Sequence, residues 1–182
     1  RRYRDENLAS GENILDSWVL LNACFFDHGI FDFNAAHVAL KEERSLAQLK
    51  PVPRFPETWK RPESAAILLN LIAGAKAHVV RVWAIQLFRQ SHLGAAQPLD
   101  VETLFALLNH ADEEVQQFGA ELLSRAEGLG REPMSFWLRL LQTRNVTALG
   151  TLTEAFKKHV SADRLDLPLG GGVSEQEPRQ SR

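Results

Sequence analysis

Cys24 and His28 stand four residues apart, a spacing at which a thiol nucleophile and its base can meet on one helical face. The setting argues against that chemistry. Cys24 lies among Leu20, Leu21, Ala23, Phe25 and Phe26, which predicts a buried, inert thiol. The six histidines are His28, His37, His78, His92, His110 and His159. No two of them have the i, i+4 spacing that binds metal on a helix, and no acid between them completes a zincin pattern. His78 and His110 fall in turns and His159 near a helix end, where a polar turn residue or a helix-terminal cation is the ordinary role. Gly170-Gly171-Gly172 is followed by no helix and is therefore not a phosphate loop. There is no nucleophile elbow and no dinucleotide fingerprint. The expectation is a protein without catalytic residues, metal or cofactor, and not an enzyme.

The elements that position these residues follow from composition and pattern. The chain has 182 residues, 45% apolar and 24% charged, enough apolar side chains for a sizeable core and too many for a disordered chain. The longest uncharged apolar stretch, residues 17–26, is far short of the ~20 residues that span a bilayer. The formal charge of −2 gives no bias toward nucleic acid or anionic lipid. One cysteine excludes an internal disulfide and, with no export signal visible, points to a reducing cytoplasm. The basic start Arg1-Arg2-Tyr3-Arg4, without an initiator Met, reads as the cut edge of a larger polypeptide.

Four blocks follow: an N-terminal helical segment or cap (1–50), a proline-rich connector (51–62), a helical array (63–169) and a polar, glycine-led tail (170–182). In the first block Ser10 caps a helix running to about Phe26, apolar on so much of its circumference that burial on more than one side is expected. Residues 31–33 alternate like a short strand, and 35–49 read as a weaker helix. Pro51, Pro53, Pro56 and Pro62 deny the connector a regular helix, and Phe55 and Trp59 should anchor it to a neighbouring surface.

The array repeats itself. Val80-Arg81-Val82-Trp83-Ala84, Val115-Gln116-Gln117-Phe118-Gly119 and Val146-Thr147-Ala148-Leu149-Gly150 each place Val first, a large apolar residue fourth and a small residue fifth. Each copy follows another apolar helical pattern (65–72, 101–108, 134–141). Gly inside a helix costs ~1 kcal/mol relative to Ala, so Gly119 and Gly150 should mark close helix packing. Asp100 and Asp112 are helix caps, Gly128 a terminator and Pro133 a first helical residue. Ser161 and Asp163 look like the start of a further, truncated repeat, with Leu165, Leu167 and Leu169 leading into the glycines.

The run from Leu107-Leu108-Asn109-His110-Ala111-Asp112 through Val115 and Gly119-Ala120 to Leu122-Leu123 resembles a HEAT repeat, an armadillo-like helical hairpin. Asp112 and Val115 match the family pattern. Val80-Arg81 matches its Val-Arg pair, whereas Gln116 and Thr147 depart from it, which interrupts the Asp–Arg ladder such repeats share. The resemblance covers about three hairpins in 63–169. It implies an all-α fold, a right-handed α-solenoid with a helical N-terminal segment, and a binding or scaffold role for a protein or peptide partner. Arg81, Arg89, Gln116, Gln117, Glu121 and Arg125 are then expected to line the concave face. Some helical-repeat proteins are alkylated-base DNA glycosylases that grip the base with tryptophans, the alternative that the four tryptophans raise. Trp83 and Trp137 occupy apolar helical positions, and the second helices carry mixed charge rather than a basic stripe, so core packing and polar protein contacts are favoured.

Overall fold

The computed structural model describes residues 3–34, 36–94, 100–126 and 128–160. The truncated repeat expected at Ser161 and the tail 170–182 lie outside them. The fold is mostly helical, with nine α-helices and one two-stranded hairpin among the described residues.

The expected helix from Ser10 to Phe26 is two helices, α1 (Gly11–Leu15) and α2 (Trp18–Cys24). Ser10 does cap the first, accepting from Asn13 N–H. The break comes at Ser17, whose Oγ donates to the Asn13 carbonyl at 2.8 Å and draws the backbone out of the helix. Asp27 then turns the chain with φ 56°. Residues 31–33 are extended as expected, in strand β1 (Phe31–Phe33), but the weak helix over 35–49 is absent. Asn34 Oδ1 accepts from the Ala36 and His37 N–H groups, an Asx turn that folds the chain back into β2 (Val38–Leu40), antiparallel to β1. Only one 3-10 turn, Leu46–Gln48 with a Ser45 capping box, follows.

Within the connector Pro56 opens a single helical turn, α3 (Pro56–Trp59), because the first turn needs no N–H from it. The arm is anchored by Trp59, edge-on to Trp83 at 5.2 Å, and not by Phe55, which stays exposed.

Six helices follow: α4 (Ser64–Gly74), α5 (His78–Ser91), α6 (Val101–Leu108), α7 (Glu113–Arg125), α8 (Met134–Leu140) and α9 (Val146–His159). α4 packs on α5 and α6 on α7. Across these hairpins α4, α6 and α8 succeed one another as one layer, and α5, α7 and α9 as a second. Asp100 and Asp112 cap α6 and α7 as expected. Gly128 takes φ 76° but opens a 3-10 turn three residues after α7 has ended, and Pro133 sits just before the first helical residue of α8. Arg139 ties α8 to α6 through two 2.8 Å bonds to Glu102, its guanidinium 3.7 Å from the Phe105 ring centre.

The core runs without interruption from Leu8 to Val160. Its largest fully buried members include Leu21, Leu68, Phe88, Phe118, Leu104, Trp137 and Leu152. The N-terminal segment lies over α5, where Trp83 Nε1 donates to the Cys24 carbonyl at 2.8 Å. Among the described residues no helix is long and apolar enough to cross a membrane.

Candidate functional site

The six residues expected on one face divide into two sets with different work. Arg81 is only 7% exposed. Its Nε donates to Asp112 Oδ2 at 2.7 Å, its Nη1 to the Ala75 carbonyl at 2.8 Å and its Nη2 to Asp5 Oδ2 at 3.0 Å. Gln116, half-buried, repeats that arrangement one hairpin later. Its Nε2 donates to the His110 carbonyl at 2.6 Å, and its Oε1 accepts from Asn145 Nδ2 at 2.8 Å. Both side chains reach the carbonyl six residues upstream, in the turn of their own hairpin, and then the N-cap of the next second helix. The Asp–Arg pairing does stop at Gln116, as expected, but an amide rung takes its place, because an amide supplies a donor and an acceptor where the guanidinium supplies donors alone.

The third copy is displaced from its expected alignment. Counted from the caps Ala77, Asp112 and Asn145, the partner of Val115 is buried Ala148, while Val146 is exposed. Gly119 is the counterpart of Ala84 in this register, and a Cβ on it would stand 3.0 Å from Leu107 Cβ and 3.2 Å from Leu108 N, the close approach expected. Gly150 has nothing within 4 Å of its Cβ position, so the packing reason expected for it is not found among the described residues.

Around the first rung gathers a cluster that sequence reading passed over. Ala77 cannot cap α5, and Asp5 does so from a distance, accepting the His78 backbone N–H with Oδ1. His78 Nδ1 donates to Asp112 Oδ2 at 2.7 Å. Burial by itself would push the Asp112 carboxyl up. The hydrogen bonds from His78 and Arg81 outweigh it and hold the group at about 2. Burial and the Arg81 charge keep His110 below its usual range, which suits a ring whose Nδ1 accepts from Asp112 N–H at 2.9 Å. Asp5 gave no local signal, since its partner is 76 residues away. Asn145 did carry one, being a favoured capping type just before an apolar helix.

The second set is on the surface. Arg89 Nη2 lies 2.8 Å and Arg125 Nε 3.5 Å from the two oxygens of Glu121, which links α5 to α7. Gln117 is exposed one turn away, with Nε2 3.3 Å from Glu113 Oε1. Beside them a groove of about 520 Å³ opens between α7 and α9 over buried Leu123, lined by Ser124, Gly150, Thr151, Ala155 and Lys158 among others. The missing side chain at Gly150 leaves room in it.

Burial pushes the Cys24 thiol up to about 12, and His28 Nε2 accepts the Lys50 backbone N–H at 3.2 Å. Trp83 and Trp137 are buried in the core, Trp137 edge-on to Phe156 at 5.5 Å. Among the described residues no group of three or more His, Cys, Asp or Glu side chains is placed to hold a metal ion. Comparison with protein-family models, with curated proteins and with solved structures finds no match to any of them.

Proposed function

We propose that this chain is a protein-binding or scaffold module, a right-handed α-solenoid of HEAT-like hairpins working in the cytoplasm, with a protein or peptide as its partner. The observation that carries the reading is the pair of successive rungs, Arg81 to Asp112 and Gln116 to Asn145. They join second helix to second helix in one register, the arrangement by which a repeat array builds an extended surface. On that surface Arg89, Gln117, Glu121 and Arg125, with the α7–α9 groove, are the contact residues. Arg81 and Gln116 hold the repeats together beneath them. The mixed charge of the set suits polar protein contacts rather than phosphate tracking.

Capture from native lysate, with and without nuclease, tests this. The expected result is a discrete protein that survives nuclease and is lost by an Arg89→Glu/Arg125→Glu variant with wild-type circular dichroism. Retention of every partner by that variant removes the surface assignment. Enrichment that disappears with nuclease overturns the protein-binding reading.

A further inference from the structure

The circumference of α2 was expected to be buried on more than one side, and one side is left bare. Trp18 is 52% exposed, Val19 61% and, just past the helix, Phe26 41%. α2 contains no charged residue, so this face has none of the charges that ordinarily solvate a surface helix. The proline arm extends it. Phe55 is 66% exposed, and Arg54 lies between the two phenylalanines, 5.4 Å from the Phe26 ring centre and 5.7 Å from that of Phe55. Arg54 Nη1 donates to Asn22 Oδ1 at 2.9 Å, which fixes the guanidinium one helical turn from Trp18.

Arg54 is thus exposed and tethered to Asn22, without a carboxylate partner among the described residues. At the other end of the stripe, just before Trp18, Asp16 is exposed and likewise has no cation beside it among the described residues. An apolar stripe with an unpaired cation at one end and an unpaired anion at the other is complementary to its own copy turned end for end.

We infer that α2 and the proline arm form a two-fold self-association surface, in which two α2 helices pack antiparallel and Asp16 of each copy meets Arg54 of the other. A two-fold axis near Val19 makes both ion pairs at once, as an isologous contact requires. The area sets the strength. Aromatic side chains offer roughly 150–250 Å² each, and three of them about half exposed, with Val19, leave on the order of 400 Å² of apolar surface per copy. With its polar rim such a contact reaches the lower range of specific interfaces, about 1,200 Å² in total, the size of weak, reversible associations.

Sedimentation velocity on the 182-residue chain, from about 1 µM to about 0.5 mM, tests the inference over the range in which a contact of this size associates. The expected result is a concentration-dependent monomer–dimer equilibrium. Arg54→Glu alone and Asp16→Arg alone should each weaken it tenfold or more. An equimolar mixture of the two single variants should form a heterodimer, and the double variant a homodimer, because both restore opposite charges across the axis. Circular dichroism and thermal melting of each variant check the fold. A chain that stays monomeric throughout, or a dimer indifferent to Arg54→Glu, overturns the inference. So does a dimer that both single variants abolish and neither the mixture nor the double variant restores. These readouts need no other partner, so their failure leaves the proposed function standing.

Discussion

Asp112 does two jobs with one carboxylate. It caps α7, accepting Glu114 N–H at 3.0 Å, and it receives Arg81 and His78 from the hairpin before. The first job was legible, because capping is local. The second depends on a partner 31 residues away, and only the resemblance to a HEAT repeat pointed to it, through the Asp–Arg ladder. The jobs can be separated. Asp112→Asn keeps a good cap and loses the charge, and should cost about 1–2 kcal/mol, while Asp112→Ala loses both and should cost about 2–4 kcal/mol by urea unfolding at pH 7. Because the folded carboxyl sits at about 2, below its ordinary value of 3.8, the ionised form is bound more tightly in the folded state. Its contribution is whole above about pH 4 and is lost as the pH falls toward 2. The urea midpoint of the wild type should therefore drop more between pH 4 and pH 2 than that of Asp112→Asn, and parallel curves would refute this account. Cys24 illustrates the opposite case, a residue whose environment was plain from its neighbours. With burial holding the thiol at about 12, iodoacetamide at pH 8 should label the folded chain at least about a thousandfold more slowly than the chain in urea.

At the scale of elements, the six array helices were legible because each carries a full amphipathic period, several with a capping residue in front. The N-terminal pieces were not, because side-chain bonds of two to four residues' reach override weak periodicity there. Ser17 breaks one helix, and Asn34 turns what looked like another into a hairpin. The third repeat copy misled for a different reason. Val146 matches Val115 by type, but the cap at Asn145 fixes the register and puts Val146 in solvent. The two array glycines consequently predict opposite results from one substitution. Gly119→Ala drives a methyl against Leu107 and the Leu108 backbone, the buried last turn of α6, and should destabilise by about 1–2 kcal/mol despite the gain in helix propensity. Gly150→Ala meets open space and should stabilise by about 1 kcal/mol. Thermal melts of the pair decide it. If Gly150→Ala weakens partner capture while raising the melting temperature, the α7–α9 groove is the part of the surface that is used.

At the scale of the whole molecule, the question is whether the first fifty residues are an appendage or part of the array. Their sequence shows no clear copy of the repeat, and such a segment at the end of an array is expected to be a cap or a degenerate repeat. The contacts tie the segment to α5. Asp5 supplies the N-terminal acceptor that Ala77 cannot, the Cys24 carbonyl takes the Trp83 indole proton, and Phe25 bridges to Val52 beside them. Ile14, Phe25, Leu46 and Leu49 border the same cleft as Val79, Val82 and Trp83 of α5. Because the buried side chains form one cluster from Leu8 to Val160, opening this segment uncovers core residues of α5, Trp83 among them. Unfolding should then be one transition, with tryptophan fluorescence, reporting mainly on Trp83 and Trp137, coinciding with far-ultraviolet circular dichroism across a urea series. A chain beginning at residue 63 loses the Asp5 carboxylate from Arg81 and uncovers Trp83. It should bind a hydrophobic dye and unfold without a cooperative midpoint. The milder Trp83→Phe removes only the indole N–H and some volume, and should lower stability by about 1–3 kcal/mol while keeping the single transition. Two separated transitions in the intact chain, or a cooperative fold in the shortened one, would make the N-terminal segment a unit of its own and remove the cap from this account.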